Sequence, residues 1–103
     1  LYFDEKGNIL EANGVIAESL DYQINEIIGK NYKDFVTEEY SDSIEYLHFW
    51  RDLSRGEQIK GVFEIIGKNN KVSKQKGTFS GIKNISGRVN KVIFVGTDIS
   101  DLL

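Results

Sequence analysis

Cysteine is absent from the 103 residues, which excludes a disulfide framework, a thiolate metal site, a thiol nucleophile and a cysteinyl photoadduct. Histidine occurs once, at His48, and there is no Gly-x-Ser-x-Gly element, so no nucleophile and base pair can be assembled from recognisable parts. Positive charge is in short supply: 13 Lys and Arg against 16 Asp and Glu leave a net charge of -3. That balance offers no excess for neutralising phosphates, and nucleic acid is not an expected partner. No apolar run approaches the ~18 residues of a membrane span, and no signal peptide is visible. The expected location is therefore cytoplasmic, without membrane insertion. Pro-rich or Ser-rich linkers, low-complexity segments and internal repeats are also missing. What remains, 40% hydrophobic and 28% charged, suits one globular domain over residues 1–103 with a single core.

Leu1 to Phe3 and Ile9 to Ala12 are short apolar runs separated by Asp4-Glu5-Lys6-Gly7-Asn8, a polar cluster that favours a tight hairpin. Asn13 is placed to cap a short helix through Leu20, and Asn25 to cap another that holds Ile27 and Ile28 and ends at Gly29. The clearest helix is predicted from Ser41 to Ser54, where Tyr46, Phe49, Trp50 and Leu53 share one face, and Arg55-Gly56 stops it. The period then changes from helical to alternating. Gln58 to Ile66, Lys71 to Ile82 and Val89 to Thr97 read as three longer strands joined by turn-forming segments. Two strands, a helical middle and a three-strand meander make an α+β pattern rather than alternating βα units.

The residues that follow this order resemble a known family. Asp4, Gly7, Asn8, Ile9 and Asn13 form an acidic-Gly-Asn-apolar hairpin ending in a helix-starting Asn; Asp21-Tyr22 and Glu26-Ile27-Ile28-Gly29-Lys30 come next. Phe49 to Glu57, Gly61-Val62-Phe63 and Gly67-Lys68 follow, and Asp98-Ile99-Ser100 closes the chain. This succession resembles the PAS domains of signalling proteins, most of all those of methyl-accepting chemotaxis and aerotaxis-type receptors. The resemblance implies a five-stranded antiparallel sheet in the order 2-1-5-4-3 with helices on one face. It further implies a sensor or dimerisation module that regulates an output domain in the same protein, and no enzyme activity. Fold alone does not fix function.

Members of the family bind haem, flavin, small metabolites or nothing, so each chemistry has to be tested on these residues. A haem needs an axial ligand aimed inward, and His48 falls on the side of its helix opposite the apolar face. Flavin-binding relatives carry an Asn and a Trp where this chain has Ile65 and Ile59, which removes a donor from the flavin's polar edge. No cofactor is therefore expected, and a haem or flavin sensor is the alternative reading. Gly61 to Lys68 falls short of a phosphate loop in spacing and in Asn69, and Glu38, Glu39 and Asp42 read as a solvated helix start.

On the strand from Lys71 to Ile82, alternation points Ser73, Gln75, Gly77 and Phe79 inward and Lys74, Lys76 and Thr78 outward. Gln75 is expected to be the one polar side chain of the inner face, either contacting a ligand or bonding backbone or water. Its neighbours in a candidate pocket are Phe35, Phe63, Ile65, Phe79, Phe94 and Trp50, which suit a small ligand with an apolar body. Gly77 and Gly96 either leave a cavity there or have it filled by Phe63, Phe79, Phe94 and Trp50. By the resemblance, Asp98 relays signal by pairing with a basic group or with backbone near the sheet; by its own chemistry it also suits a helix cap. Val62, Ile66, Ile82, Ile93 and Val95 gather on the outward face as an apolar strip, the expected contact of a homodimer.

Overall fold

The computed structural model describes residues 1–102. The predicted hairpin forms from β1 (Tyr2–Phe3) and β2 (Ile9–Glu11). Its turn is organised by Asp4, whose carboxylate accepts the Lys6 and Asn8 backbone N–H groups and Asn8 Nδ2, each at 2.9 Å. Gly7 supplies the φ of +87° the turn requires and lets the chain rest on Trp50, where a Cβ would come within 3.1 Å of the indole.

Helix α1 (Gly14–Ser19) starts as expected, with Asn13 Oδ1 accepting the Ile16 N–H at 3.0 Å. For α2 (Ile24–Ile27) the cap is Gln23 rather than Asn25, because Glu26 reaches back to accept the Gln23 N–H at 2.9 Å and so moves the start upstream. A 3-10 turn at Tyr32–Phe35, which hydrophobic periodicity does not show, is capped by Asn31. Asn31 Nδ2 also donates to Asn8 Oδ1 and to the Lys6 carbonyl, each at 3.0 Å, tying this turn to the hairpin.

A short separate helix, α3 (Glu38–Ser41), precedes the helix expected from Ser41, which begins three residues later as α4 (Ile44–Ser54). The break has a local cause. Ser43 Oγ accepts the Tyr46 N–H at 3.1 Å and donates to the Tyr40 carbonyl at 2.6 Å, ending one helix while capping the next.

Strands β3 (Gln58–Ile66), β4 (Val72–Lys83) and β5 (Val89–Asp98) complete an antiparallel sheet ordered β2-β1-β5-β4-β3, with the helices on one face. β4 starts and ends one residue later than alternation suggests, and β5 runs on to Asp98, because Asp98 pairs with Gln75 and Val89 with Lys83. Gly61 to Ile66 is therefore extended strand, with no loop in which to cradle a phosphate. The core lies between sheet and helices, with Phe3, Leu53, Ile65, Phe79 and Val92 almost wholly buried. Among the described residues no helix is long and apolar enough to cross a membrane.

Candidate functional site

The register builds the inner face of the sheet in rows: Phe63, Gln75 and Asp98 in one, Gly61, Gly77 and Gly96 in the next, then Ile59, Phe79 and Phe94. Phe79 lies at the centre, its ring centroid 4.5 Å from Phe94, 4.8 Å from Phe63 and 5.0 Å from Phe49. Most of these pairs meet edge to face, the arrangement favoured by the ring quadrupoles.

The glycine row decides between the two readings of the interior. A Cβ on Gly77 would come within 3.0 Å of the Phe94 ring, and one on Gly96 would collide with it. The space vacated by the two glycines is thus occupied by Phe94, and the interior is filled. At the far end of the core, the gap bordered by Leu20, Ile27, Tyr32, Phe35 and Ile65 has no room for a water molecule.

The candidate pocket residues are not all neighbours. Gln75, Phe63, Phe79 and Phe94 come together, whereas Phe35 packs on Tyr22 at 5.9 Å and Trp50 sits beneath the hairpin turn, 5.5 Å from Phe3. Trp50 Nε1 is buried beside the Tyr46 hydroxyl without a hydrogen bond of good geometry. Burial pushes the Tyr46 phenol up to about 12 and raises Tyr32 and Tyr40 as well, so this wall of phenols stays neutral at physiological pH. His48 is exposed on α4, as its helical position suggests.

Gln75 is buried, with 2% of its surface exposed, yet it is not the one polar group of the inner face: Ser73 beside it is 1% exposed. Gln75 Nε2 donates to Ser73 Oγ at 2.8 Å, and Ser73 Oγ donates to Asp98 Oδ2 at 2.9 Å. Asp98 Oδ1 in turn accepts the Ser100 N–H at 2.8 Å, at the start of a 3-10 turn over Ser100–Leu102. The hydroxyl and N–H of Ser100, helped by the Ser73 and Ser19 hydroxyls, hold the Asp98 carboxyl below the usual carboxylate range. Asp98 thus caps the exit turn, as its own chemistry suggests, and its partner on the sheet is a hydroxyl; no basic group pairs with it among the described residues. The exit segment is fastened further by the Ile99 N–H to the Lys74 carbonyl at 2.8 Å and the Lys74 N–H to Ser100 Oγ at 3.0 Å. Ser73 carries this connection without a motif of its own, whereas Ser100 lies in the Asp98-Ile99-Ser100 segment already singled out in the sequence. The available signal was the inward pair Ser73 and Gln75, two positions apart on a strand that meets Asp98.

Gln75 also floors a cleft of about 340 Å³ between α1 and β5, whose walls include Leu1, Val15, Ile16, Phe94 and Gly96. On the opposite face of the sheet, Val62, Ile66, Ile82, Ile93 and Val95 all point outward but do not make one continuous strip. Val62 stands across from Lys76, Ile82 from Lys91, Ile93 from Ser80 and Val95 from Thr78, while Ile66 pairs with Val72 at the end of the sheet. Val95 is the most open at 71% exposed, followed by Val62 at 53%.

Comparison with known proteins agrees with this architecture. A 99-residue stretch is 29% identical to the biofilm dispersion protein BdlA of Pseudomonas aeruginosa, covering 96% of this chain and 24% of that protein. The chain thus spans about a quarter of that relative's length. Among solved structures, the PAS-B domain of Drosophila melanogaster Cycle with bound glycerol superposes with a TM-score of 0.76 at 14% identity, covering 94% of this chain and 95% of that one. The Rhodobacter sphaeroides LOV protein gives 0.78 at 11% identity, over 96% of this chain and 58% of that one. A structure of VqmA bound to DPO gives 0.68 at 15% identity, over 94% and 50%. The family pattern described as PAS domain matches residues 1–101. With the sheet order, the filled helical face and the Asp98 exit in place, this match establishes that the chain belongs to the PAS domain family, whose members are sensory domains of signalling proteins.

Proposed function

We propose that this domain is a cytoplasmic sensory and dimerisation module, without catalytic activity, that passes the state of its interior to an output domain of the same protein through Asp98 and the segment after it. One observation carries the reading: the hydrogen-bonded chain from Gln75 through Ser73 to Asp98 and Ser100, which links a buried amide to the exit turn. A change around Gln75 then alters how firmly the exit segment is held, and the response is a shift between populations rather than a new structure. Because the interior is filled, a sensed ligand has to displace side chains, and Phe94 is the ring that borders both the core and the cleft. Such a ligand combines an apolar body with one group that hydrogen-bonds Gln75. The Cycle and VqmA structures, with glycerol and DPO bound, support small molecules as the class of signal.

The relay is tested by Ser73→Ala. Losing about 1 kcal/mol at this link is expected to speed hydrogen exchange of the Ile99 and Ser100 amides roughly fivefold while leaving the β3–β4 ladder unchanged. Unaltered exchange at both amides would show that the chain of bonds carries no coupling.

Dimerisation is tested on the outer face. Replacing Val62 and Val95 together by Lys places charge on its two most open valines and is expected to turn a dimer into a folded monomer in sedimentation velocity. A wild type that sediments as a monomer at every concentration removes the outer face as a self-association surface.

A further inference from the structure

We propose that the turn between β3 and β4, residues 67–71, is a clasp that swings off the corner between α1 and α2 as a unit, opening an entrance to the core beside Ile65 while the sheet stays paired. The turn reaches from the sheet to the helical layer and is fastened there by its lysines and a backbone bond. Gly67 is buried against the end of α1, where a Cβ would collide with the Leu20 carbonyl oxygen. That same oxygen accepts the Lys68 N–H at 2.9 Å. Lys68 Nζ lies 3.3 Å from Glu26 Oε2 and 5.8 Å from the centre of the Tyr22 ring, and Lys71 Nζ lies 3.2 Å from Asp21 Oδ1. Among the described residues these are the only ion pairs that join distant segments, since Arg51 and Asp52 are chain neighbours.

Backbone strain gathers at the same place. Asp21, Asn69 and Asn70 have φ of +58°, +56° and +60°, and among the described residues no other non-glycine residue has a positive φ. A side chain makes that conformation costly, and it persists only where surrounding contacts hold it. Here the holding contacts include exposed ion pairs, which are individually weak and screened by salt. Release of the lysines frees the strained residues on both sides together, so the corner opens as one cooperative unit. The ladder does not have to break with it, because β3–β4 pairing starts at Ile66 and Val72, outside the turn. Beneath the clasp lies the dry gap bordered by Leu20, Ile27, Phe35 and Ile65. Parting Leu20 from Ile65 widens that gap toward solvent, which gives the filled interior an entrance at the end away from Phe94. The inference goes beyond the relay and stands whether or not that relay operates.

The absence of cysteine allows a direct test: Ile65→Cys puts a single thiol under the clasp and Leu53→Cys puts one beneath α4, at positions 1% and 0% exposed. The reagent is dithiodipyridine, which is uncharged, so removing lysines does not alter its approach. Ile65→Cys is expected to react at least about tenfold faster than Leu53→Cys under native conditions, because local opening costs less than global unfolding. Adding Lys68→Gln and Lys71→Gln is expected to quicken the first reaction about threefold, which is what two exposed ion pairs together supply, and to leave the second unchanged. Equal rates for the two thiols, or lysine replacements that quicken both alike or neither, overturn the proposal. Hydrogen exchange on the unsubstituted domain decides the matter if a cysteine variant fails to fold. There the Lys68 amide is expected to be less protected than the Phe79 amide and to lose about threefold in protection when salt is raised. Protection at Lys68 equal to that at Phe79, or indifferent to salt, overturns the proposal as well.

Discussion

Phe79→Ala is expected to destabilise the domain by about 3–5 kcal/mol, the range for removing a buried aromatic ring from a packed core. Phe79 has 0% exposure, and its ring approaches those of Phe3, Tyr32, Phe49, Phe63 and Phe94 within 5.9 Å, so several edge-to-face contacts disappear with one substitution. A domain of this size has only about 5–15 kcal/mol of stability in total, and each kcal/mol lost lowers Tm by roughly 4–8 °C. Urea unfolding measures the loss directly. The variant should also gain what the parent lacks: a dry apolar void able to bind benzene, which raises Tm in the mutant and not in the wild type. A loss below about 1 kcal/mol, with no benzene effect, would mean that the interior is not organised around this ring.

The second large effect separates two glycines that look equivalent in the sequence. A Cβ on Gly77 would collide with the Val95 carbonyl oxygen and lie 2.6 Å from the Gly96 Cα, both of them backbone. Relief requires β4 and β5 to move apart, so Gly77→Ala is expected to cost about 3 kcal/mol or more, the upper end of overpacking. On Gly96 the same methyl meets the Phe94 ring first, a side chain that can rotate away. Gly96→Ala is therefore expected to cost nearer 1 kcal/mol and to move Phe94 toward the cleft, exposing the interior beside Gln75. Chemical denaturation of the two variants, with the Phe94 ring resonances as a local report, distinguishes them. Equal losses, with Phe94 unmoved in both, would contradict the packing described for the glycine row.

If Gly96→Ala does displace Phe94, it becomes a tool for the sensing question, since the ring that closes the interior would already be out of place. A small amphiphilic compound that stabilises this variant more than the wild type would connect the position of Phe94 with ligand entry. The Ser73→Ala exchange measurement reports separately on what happens at the exit.

Much of the architecture was legible because its causes are local. Period-two alternation placed Ser73, Gln75, Gly77 and Phe79 on the inner face, and the apolar spacing of Tyr46, Phe49, Trp50 and Leu53 identified the main helix. Caps were read less well where two candidates competed. Glu26 reaching back to Gln23 overrode Asn25, and Ser43, expected inside the helix, caps it instead and so starts it later. Both are choices between neighbouring hydrogen bonds, which composition does not rank.

The candidate site was legible only by face. Alternation says that Gln75 points inward, but its partners depend on what the fold brings opposite. Asp98 meets Ser73 across 25 positions of sequence, through a register set by the whole β4–β5 ladder. The outer apolar residues were correctly assigned to one side, and the same register interleaves them with Lys76 and Lys91. The sequence by itself determined the elements, their order and the face each side chain takes, because turn residues and hydrophobic period act within a few positions. Only the tertiary structure decided that Phe94 fills the space left by Gly77 and Gly96, that Trp50 and Phe35 lie away from Gln75, and that a serine joins the interior to the exit; each is a contact between distant segments, fixed by strand register and close packing.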